Sequence, residues 1–347
     1  MSRASARLLA GATALLTAAC ASTPPAPTTA VSTGPASEPA RRAEPSPERF
    51  ESDDFIVTFA RAGDTPQSLA ARFLGDTNKA WMIEDYAGGP SFSPGQQVVI
   101  PKRPWDPAGV DASGYQLVPI LVYHNLGEQA KGRMVLAVSS FQEQMRYLKE
   151  NGYRVVSLRD FVEFTRLGRQ LPKKAVVLTF DDGYKAFRQY AYPVLKGMGF
   201  PATIFVYTDY VGAGRHALSW PELKQLEAEG FDVQAHSKTH GDLRRARGET
   251  EAQYARRMHA ELEQPQEIFQ RQLGRRSTTV AYPYGRWDED LLRKVREGGY
   301  VAGFTVRRQG NASFVRPLVA NRSQIYSEMT LEEFIKNLNV FQPESLK

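Results

Sequence analysis

The stretch AVVLTFDDGY (residues 175–184) decides how this chain is read. Ala175 to Phe180 form a short apolar run rich in β-formers, bounded by a turn signal, as a buried strand requires. The run delivers two adjacent carboxylates, Asp181 and Asp182, to its C-terminal end, and Gly183 lets the chain turn sharply there. In α/β barrels that end of a strand carries the chemistry. Two neighbouring Asp residues repel if both face one place. At a turn they can point apart, one toward a metal and one toward a water. Read without chemistry, Asp-Asp-Gly is a common loop sequence.

Three further strand ends match the first. In AHSKTH (residues 235–240), Phe231, Val233 and Ala235 alternate as a strand, so His236 falls at its end and His240 follows four residues on. Two neutral imidazoles brought together suit Zn²⁺ or a similar borderline cation. No Glu follows His236, which excludes the helical HExxH arrangement. The other reading is two surface histidines out of the five in the chain. VAYPYGRWD (residues 280–288) is a strand running into a Tyr-Pro-Tyr-Gly turn, and ILVYHNLG (residues 120–127) is an apolar strand placing His124 at its end. A lone His in such a position is as readily structural as catalytic.

From residue 115 onward the pattern alternates strands with helices, which predicts a parallel α/β domain. Strands are expected over 116–123, 175–180, 202–207, 231–235, 278–282 and 300–306. Helices are expected over 158–167, 184–198, 220–229, 250–273, 288–297 and 331–338. One more should start at Ser140 behind a capping box with Glu143.

Taken together, the four strand ends resemble the polysaccharide deacetylase family (carbohydrate esterase family 4), over roughly residues 115–338. The resemblance implies an α/β fold, a distorted (β/α) barrel, and hydrolysis of N-acetyl groups. It implies Asp181 as general base and Asp182, His236 and His240 as ligands of a divalent metal, Zn²⁺ first and Co²⁺ or Ni²⁺ as alternatives. Tyr284 would offer its backbone N–H to the oxyanion. Tyr123, Tyr282, Pro283, Gly285 and Trp287 would contact substrate. Two departures stand out: Ala281 occupies the place of an Arg that steadies the base, and no His follows His259 to act as general acid. The branch acting on poly-N-acetylglucosamine takes its acid from a Tyr-His pair ahead of the DDG motif, and Tyr123–His124 matches it, which makes His124 the implied acid. The substrate class is then a polysaccharide containing N-acetylglucosamine, either poly-N-acetylglucosamine or peptidoglycan. The competing reading is an inactive glycan-binding lipoprotein.

Residues 53–102 read as a separate βααβ module. Phe55, Val57 and Phe59 alternate, GDTP (residues 63–66) gives a turn with Thr65 as N-cap and Pro66 as first helical residue, and PGQQVVIP (residues 94–101) closes with a strand. This order resembles a LysM domain, which implies binding of N-acetylglucosamine glycans. The middle departs from that pattern, with IEDYAGG replacing an Asn-rich loop, and a module that only spaces or docks its neighbour is the alternative. Residues 103–114 read as a linker between module and barrel, and the barrel domain is expected to run over 115–341.

Ahead of the module, residues 1–20 combine Arg3 and Arg7, an apolar run and the chain's single cysteine, Cys20. This resembles a bacterial lipoprotein signal with Cys20 taking the lipid, and an ordinary secretory signal is the alternative. Residues 21–52, rich in Pro, Ala, Ser and Thr, are expected to be a disordered tether. The implied location is the cell envelope, lipid-anchored on the periplasmic face of the outer membrane. The formal charge of +6 on 347 residues is spread along the chain, with no dense basic run, so no nucleic-acid partner is expected.

Overall fold

The structure, a computed structural model, describes residues 49–345. Cys20, the segment before it and most of the expected tether lie outside the described residues.

The chain opens with β1 (Arg49–Glu51), which pairs antiparallel with β2 (Phe55–Phe59). Residues 49–51, counted with the tether, are therefore a strand, because an edge beside β2 is available to satisfy their backbone groups. α1 (Pro66–Leu74) starts from the expected N-cap, Thr65, whose side chain accepts from the Ser68 N–H. α2 (Ala80–Ala87) follows, and β3 (Gln97–Pro101) returns along β2. Ile56, Leu69, Ala70, Ile83, Val98 and Ile100 form the core between sheet and helices.

The expected linker is a built segment rather than a free one. β4 (Val110–Asp111) pairs with β5 (Gly114–Gln116), and both Trp105 N–H and Asp106 N–H donate to Gln170 Oε1. Pro119 lies in the break between β5 and β6 (Ile120–Tyr123), so the single strand expected over 116–123 is two. β7 (Asn125–Gly127) and β8 (Val135–Ala137) lead into α3 (Val138–Glu150). That helix starts two residues before Ser140. β8 feeds it directly, its N-cap is Ala137, and no side chain caps it. The capping box expected at Ser140 is thus absent.

β9 (Arg154–Val155), α4 (Leu158–Phe164) and β10 (Ala175–Phe180) come next, then α5 (Tyr192–Met198), β11 (Thr203–Val206), α6 (Trp220–Ala228) and β12 (Asp232–Ala235). The segment expected as one helix over 250–273 is α7 (Glu251–Met258), a π-helical turn (His259–Glu263) and α8 (Gln264–Leu273). β13 (Thr279–Ala281), α9 (Glu289–Glu297), β14 (Ala302–Phe304), β15 (Ser323–Gln324), α10 (Leu331–Ile335) and β16 (Phe341–Pro343) complete the fold. β16 pairs with β5, so the barrel domain reaches two residues beyond 341.

The main sheet runs β14-β13-β12-β11-β10-β6-β15, with β9 beside β10, and every pairing in it is parallel. It curls until its edges nearly meet. Ala320, just ahead of β15, donates to Gly303 of β14 and accepts from Thr305 N–H. All six residues of β10 are buried. Ala175 and Val177 belong to the inner cluster with Ile120, Phe205 and Phe304. Val176, Leu178 and Phe180 belong to the outer cluster against the helices. This alternation sends the next residue, Asp181, into the barrel interior.

The small module is seated at the other end of these strands. Arg154, which opens β9, reaches Glu84 at 2.7 Å, and Lys173, two residues before β10, donates its N–H to Asp85 Oδ2 at 2.9 Å. β10 itself spans about 20 Å at the usual rise per residue.

Candidate active site

The C-terminal ends of β6, β10, β12 and β13 converge on one cleft of 170 Å³, bordered by His124, Asp181, Asp182, His236, His240, Tyr282 and Tyr284. Among the described residues, four of the five non-glycine residues with positive φ lie here: Asp182 (76°), Ser237 (72°), His240 (63°) and Tyr284 (60°). Such backbone is strained and persists only where its surroundings over-determine it. The YPYG turn needs its glycine, since a Cβ on Gly285 would stand 2.6 Å from Val306 N.

Asp182 Oδ1 lies 3.3 Å from His240 Nε2 and 3.6 Å from His236 Nε2. One donor atom from each residue falls within 4.8 Å of the others. His236 Nδ1 sits 2.8 Å from the Ala281 carbonyl oxygen. A carbonyl can only accept, so Nδ1 carries the proton and the Nε2 lone pair faces Asp182. Asp182 Oδ1 is buried with no hydrogen-bond partner in the protein. Burial pushes the Asp182 carboxyl up to about 6, the Asp181 charge adds to this, and His124 opposes it. Burial likewise lowers His236 to about 4, so its 3.8 Å approach to Asp181 is not an ion pair at neutral pH. A buried carboxylate oxygen without a partner beside two neutral imidazoles fits a divalent cation.

Asp181 differs from its neighbour. Burial alone would raise its pKa, but the Arg322 guanidinium outweighs that and holds it at about 2. The contact is bidentate, Nη1 to Oδ1 at 2.7 Å and Nη2 to Oδ2 at 2.8 Å. Arg322 is fully buried, and its Nε donates to the Thr305 carbonyl. It enters from the segment that joins β14 to β15. The steadying arginine missing at position 281 is thus supplied from another strand, a residue that the sequence reading passed over. Its one legible signal is an arginine inside an otherwise apolar and polar-neutral run, LVANRSQIY (residues 318–326).

His124 borders the same cleft, its Nδ1 buried and without a hydrogen-bond partner in the protein. Tyr184 lines the same cleft and was not singled out from the sequence. Glu261, in the π-helical turn, was also missed. Its Oε2 accepts from Lys238 N–H and Thr239 N–H at 3.0 Å, and Oε1 accepts from Thr239 Oγ1 at 2.7 Å. It therefore fixes the loop between the two histidines. Replacing it should loosen His240: Glu261→Ala is expected to weaken Zn²⁺ binding about 10- to 100-fold in a competitive chelator titration.

Of the residues expected to touch substrate, Tyr123 and Trp287 lie away from this cleft, and Tyr282 and Pro283 are buried. Tyr123 points to the helix side of the sheet, opposite in phase to His124. Its hydroxyl donates to Gln144 Oε1, and its ring lies 5.2 Å from that of Phe180. Tyr282 borders the cleft, yet it is buried and its hydroxyl is committed to the Leu318 carbonyl at 2.7 Å. Pro283 is buried, and Trp287 lines a separate cleft with Arg244, Arg245 and Arg257.

Residues 168–303 match the family model described as polysaccharide deacetylase. The stretch from β10 to β14 is thus similar to polysaccharide deacetylases. Among relatives, YxkH of Bacillus subtilis (strain 168), named for the polysaccharide deacetylases, is 30% identical over 188 residues, covering 54% of this chain and 64% of the relative. The poly-beta-1,6-N-acetyl-D-glucosamine N-deacetylase of Escherichia coli (strain K12) is 25% identical over 74% of this chain and 42% of its own length. That of Staphylococcus aureus (strain MSSA476) is 27% identical over 49% and 61%. The chain spans less than two thirds of the length of each of these relatives. In fold it resembles the Streptococcus pyogenes deacetylase PplD solved with acetate, with a TM-score of 0.59 at 24% identity over 65% of this chain and 100% of that one.

Proposed function

We propose that the protein is a metal-dependent N-deacetylase of a polysaccharide containing N-acetylglucosamine, with poly-N-acetylglucosamine as the favoured polymer. One observation carries this reading: Asp182, His236 and His240, distant in sequence, gather three donor atoms within 4.8 Å beside the arginine-held Asp181. The names of the Escherichia coli and Staphylococcus aureus relatives support the choice of polymer. Peptidoglycan is the second candidate.

Asp182, His236 and His240 would hold the cation. Bound there, it would polarise the acetamide carbonyl and acidify a water, which is the chemistry Zn²⁺ supplies with three protein ligands and open positions. Asp181, ionised at neutral pH, accepts a proton from the attacking water as the new C–O bond forms. Arg322 keeps both of its oxygens in place. The Tyr284 backbone N–H, in its left-handed turn, serves the developing oxyanion. His124 gives its proton to the nitrogen as the C–N bond breaks. Acetate and a free amine on the sugar result.

The inactive-binder reading drew on the missing third-motif arginine and the missing C-terminal His; Arg322 stands against the first of these, and His124 as acid is proposed against the second. For the rest of the chain we propose a lipid anchor on Cys20 in the cell envelope and a LysM-like, glycan-holding role for the module over 53–102. Among the described residues no helix is long and apolar enough to cross a membrane. The test is acetate release from poly-N-acetylglucosamine and from peptidoglycan. Activity should vanish with chelator and return with Zn²⁺ or Co²⁺; release unaffected by chelator would sink the proposed metal dependence.

A further inference from the structure

Around the cation site the rings form a continuous arc. The His240 ring lies 4.9 Å from Tyr284 on one side and 5.2 Å from Tyr207 on the other. Tyr207 stacks on Tyr210 at 5.1 Å and 17°, and Tyr210 meets Tyr184 edge-on at 5.7 Å. These residues come from four separate loops, those after β10, β11, β12 and β13. Unlike Tyr123 or Tyr254, which serve the core, Tyr184, Tyr207 and Tyr210 are half-buried and Tyr284 is 57% exposed. Asp209, between Tyr207 and Tyr210, pairs with Lys238 at 2.9 Å beside the rings.

Partly open aromatic faces next to ionised groups match the two sides of a pyranose. Its C–H face packs on rings, while its hydroxyls take hydrogen bonds at the rim. Tyr184 and Tyr284 line the cleft itself, and Tyr207 and Tyr210 adjoin it through the rings of His240 and Tyr184. We infer that the Tyr207–Tyr210 pair is a subsite for the sugar unit next to the one that loses its acetyl group, so that the enzyme selects linked units within a chain over single sugars. The inference rests on the deacetylase reading and extends it to how the polymer is held.

The test uses the zinc-loaded full-length protein. Binding of an N-acetylglucosamine tetramer is measured by calorimetry, and hydrolysis of para-nitrophenyl acetate reports the catalytic centre without a neighbouring sugar. Tyr210→Ala should weaken tetramer binding about tenfold, as loss of one stacking anchor does. Tyr210→Trp should bind as the wild type does. Zinc content and ester hydrolysis should match the wild type in both. Unchanged tetramer binding by Tyr210→Ala overturns the subsite. So does ester hydrolysis that falls in step with binding, since the ring would then act through Tyr184 on Asp182. A wild type that binds the tetramer, loses it in Tyr210→Ala and yet releases no acetate sinks the deacetylase reading and leaves the subsite standing.

Discussion

Asp181→Asn should abolish acetate release, by at least about 10²-fold, while the protein keeps its full complement of zinc. The carboxamide is nearly isosteric with the carboxylate but cannot take a proton from water. Asp182, His236 and His240 are untouched, so the cation stays. Acetate quantification together with metal analysis of the same preparation checks both halves. Wild-type turnover in this variant would remove Asp181 from the role of base, and loss of zinc would mean that it belongs to the cation's own shell.

Arg322→Met should produce the largest loss of stability. It removes the partner of a carboxylate that is 3% exposed and leaves that charge in the barrel interior. Breaking such a buried pair costs about 3–5 kcal/mol, readable in denaturant unfolding. The pH dependence should change sign as well. In the wild type the folded pKa of Asp181 is depressed, so its contribution is complete above an unfolded pKa near 4 and is lost as the pH falls toward 2. In the variant, burial without the guanidinium raises the folded pKa above the unfolded one. That penalty is absent below pH 4 and grows as the pH rises through the new value. The stability gap between the two proteins should therefore narrow on acidification. A gap that stays constant from pH 8 to pH 4 would show that Arg322 acts through packing and not through its charge.

The sequence made β10 legible to the residue, because an apolar run ending in Asp-Asp-Gly has few other readings. The strand ends carrying His124, His236 and Tyr284 were legible for the same reason. The misplacement of Tyr123 comes from reading a motif as a block. Alternation along ILVYH puts Tyr123 and His124 on opposite faces, so only one of them can reach the cleft. β15 was invisible: two residues, Ser323 and Gln324, have no period to detect. Arg322 went with it, since a bidentate contact to a residue 141 positions away leaves no local trace. The π-helical turn bearing Glu261 was hidden inside a segment whose composition is uniformly helical. The aromatic arc was hidden too, because its four tyrosines sit in three separate loops and meet only in three dimensions.

The order in which these parts occur along the chain has a consequence for biosynthesis. The three donors for the cation lie between positions 182 and 240, so a growing polypeptide carries all of them well before it is finished. Arg322 emerges some eighty residues later, with the strand that brings the two edges of the sheet together. Until then Asp181 has no guanidinium to hold it ionised. On the proposed mechanism, fixing of the base is thereby tied to completion of the barrel: a polypeptide that stops short of Arg322 lacks the side chain that grips both oxygens of Asp181.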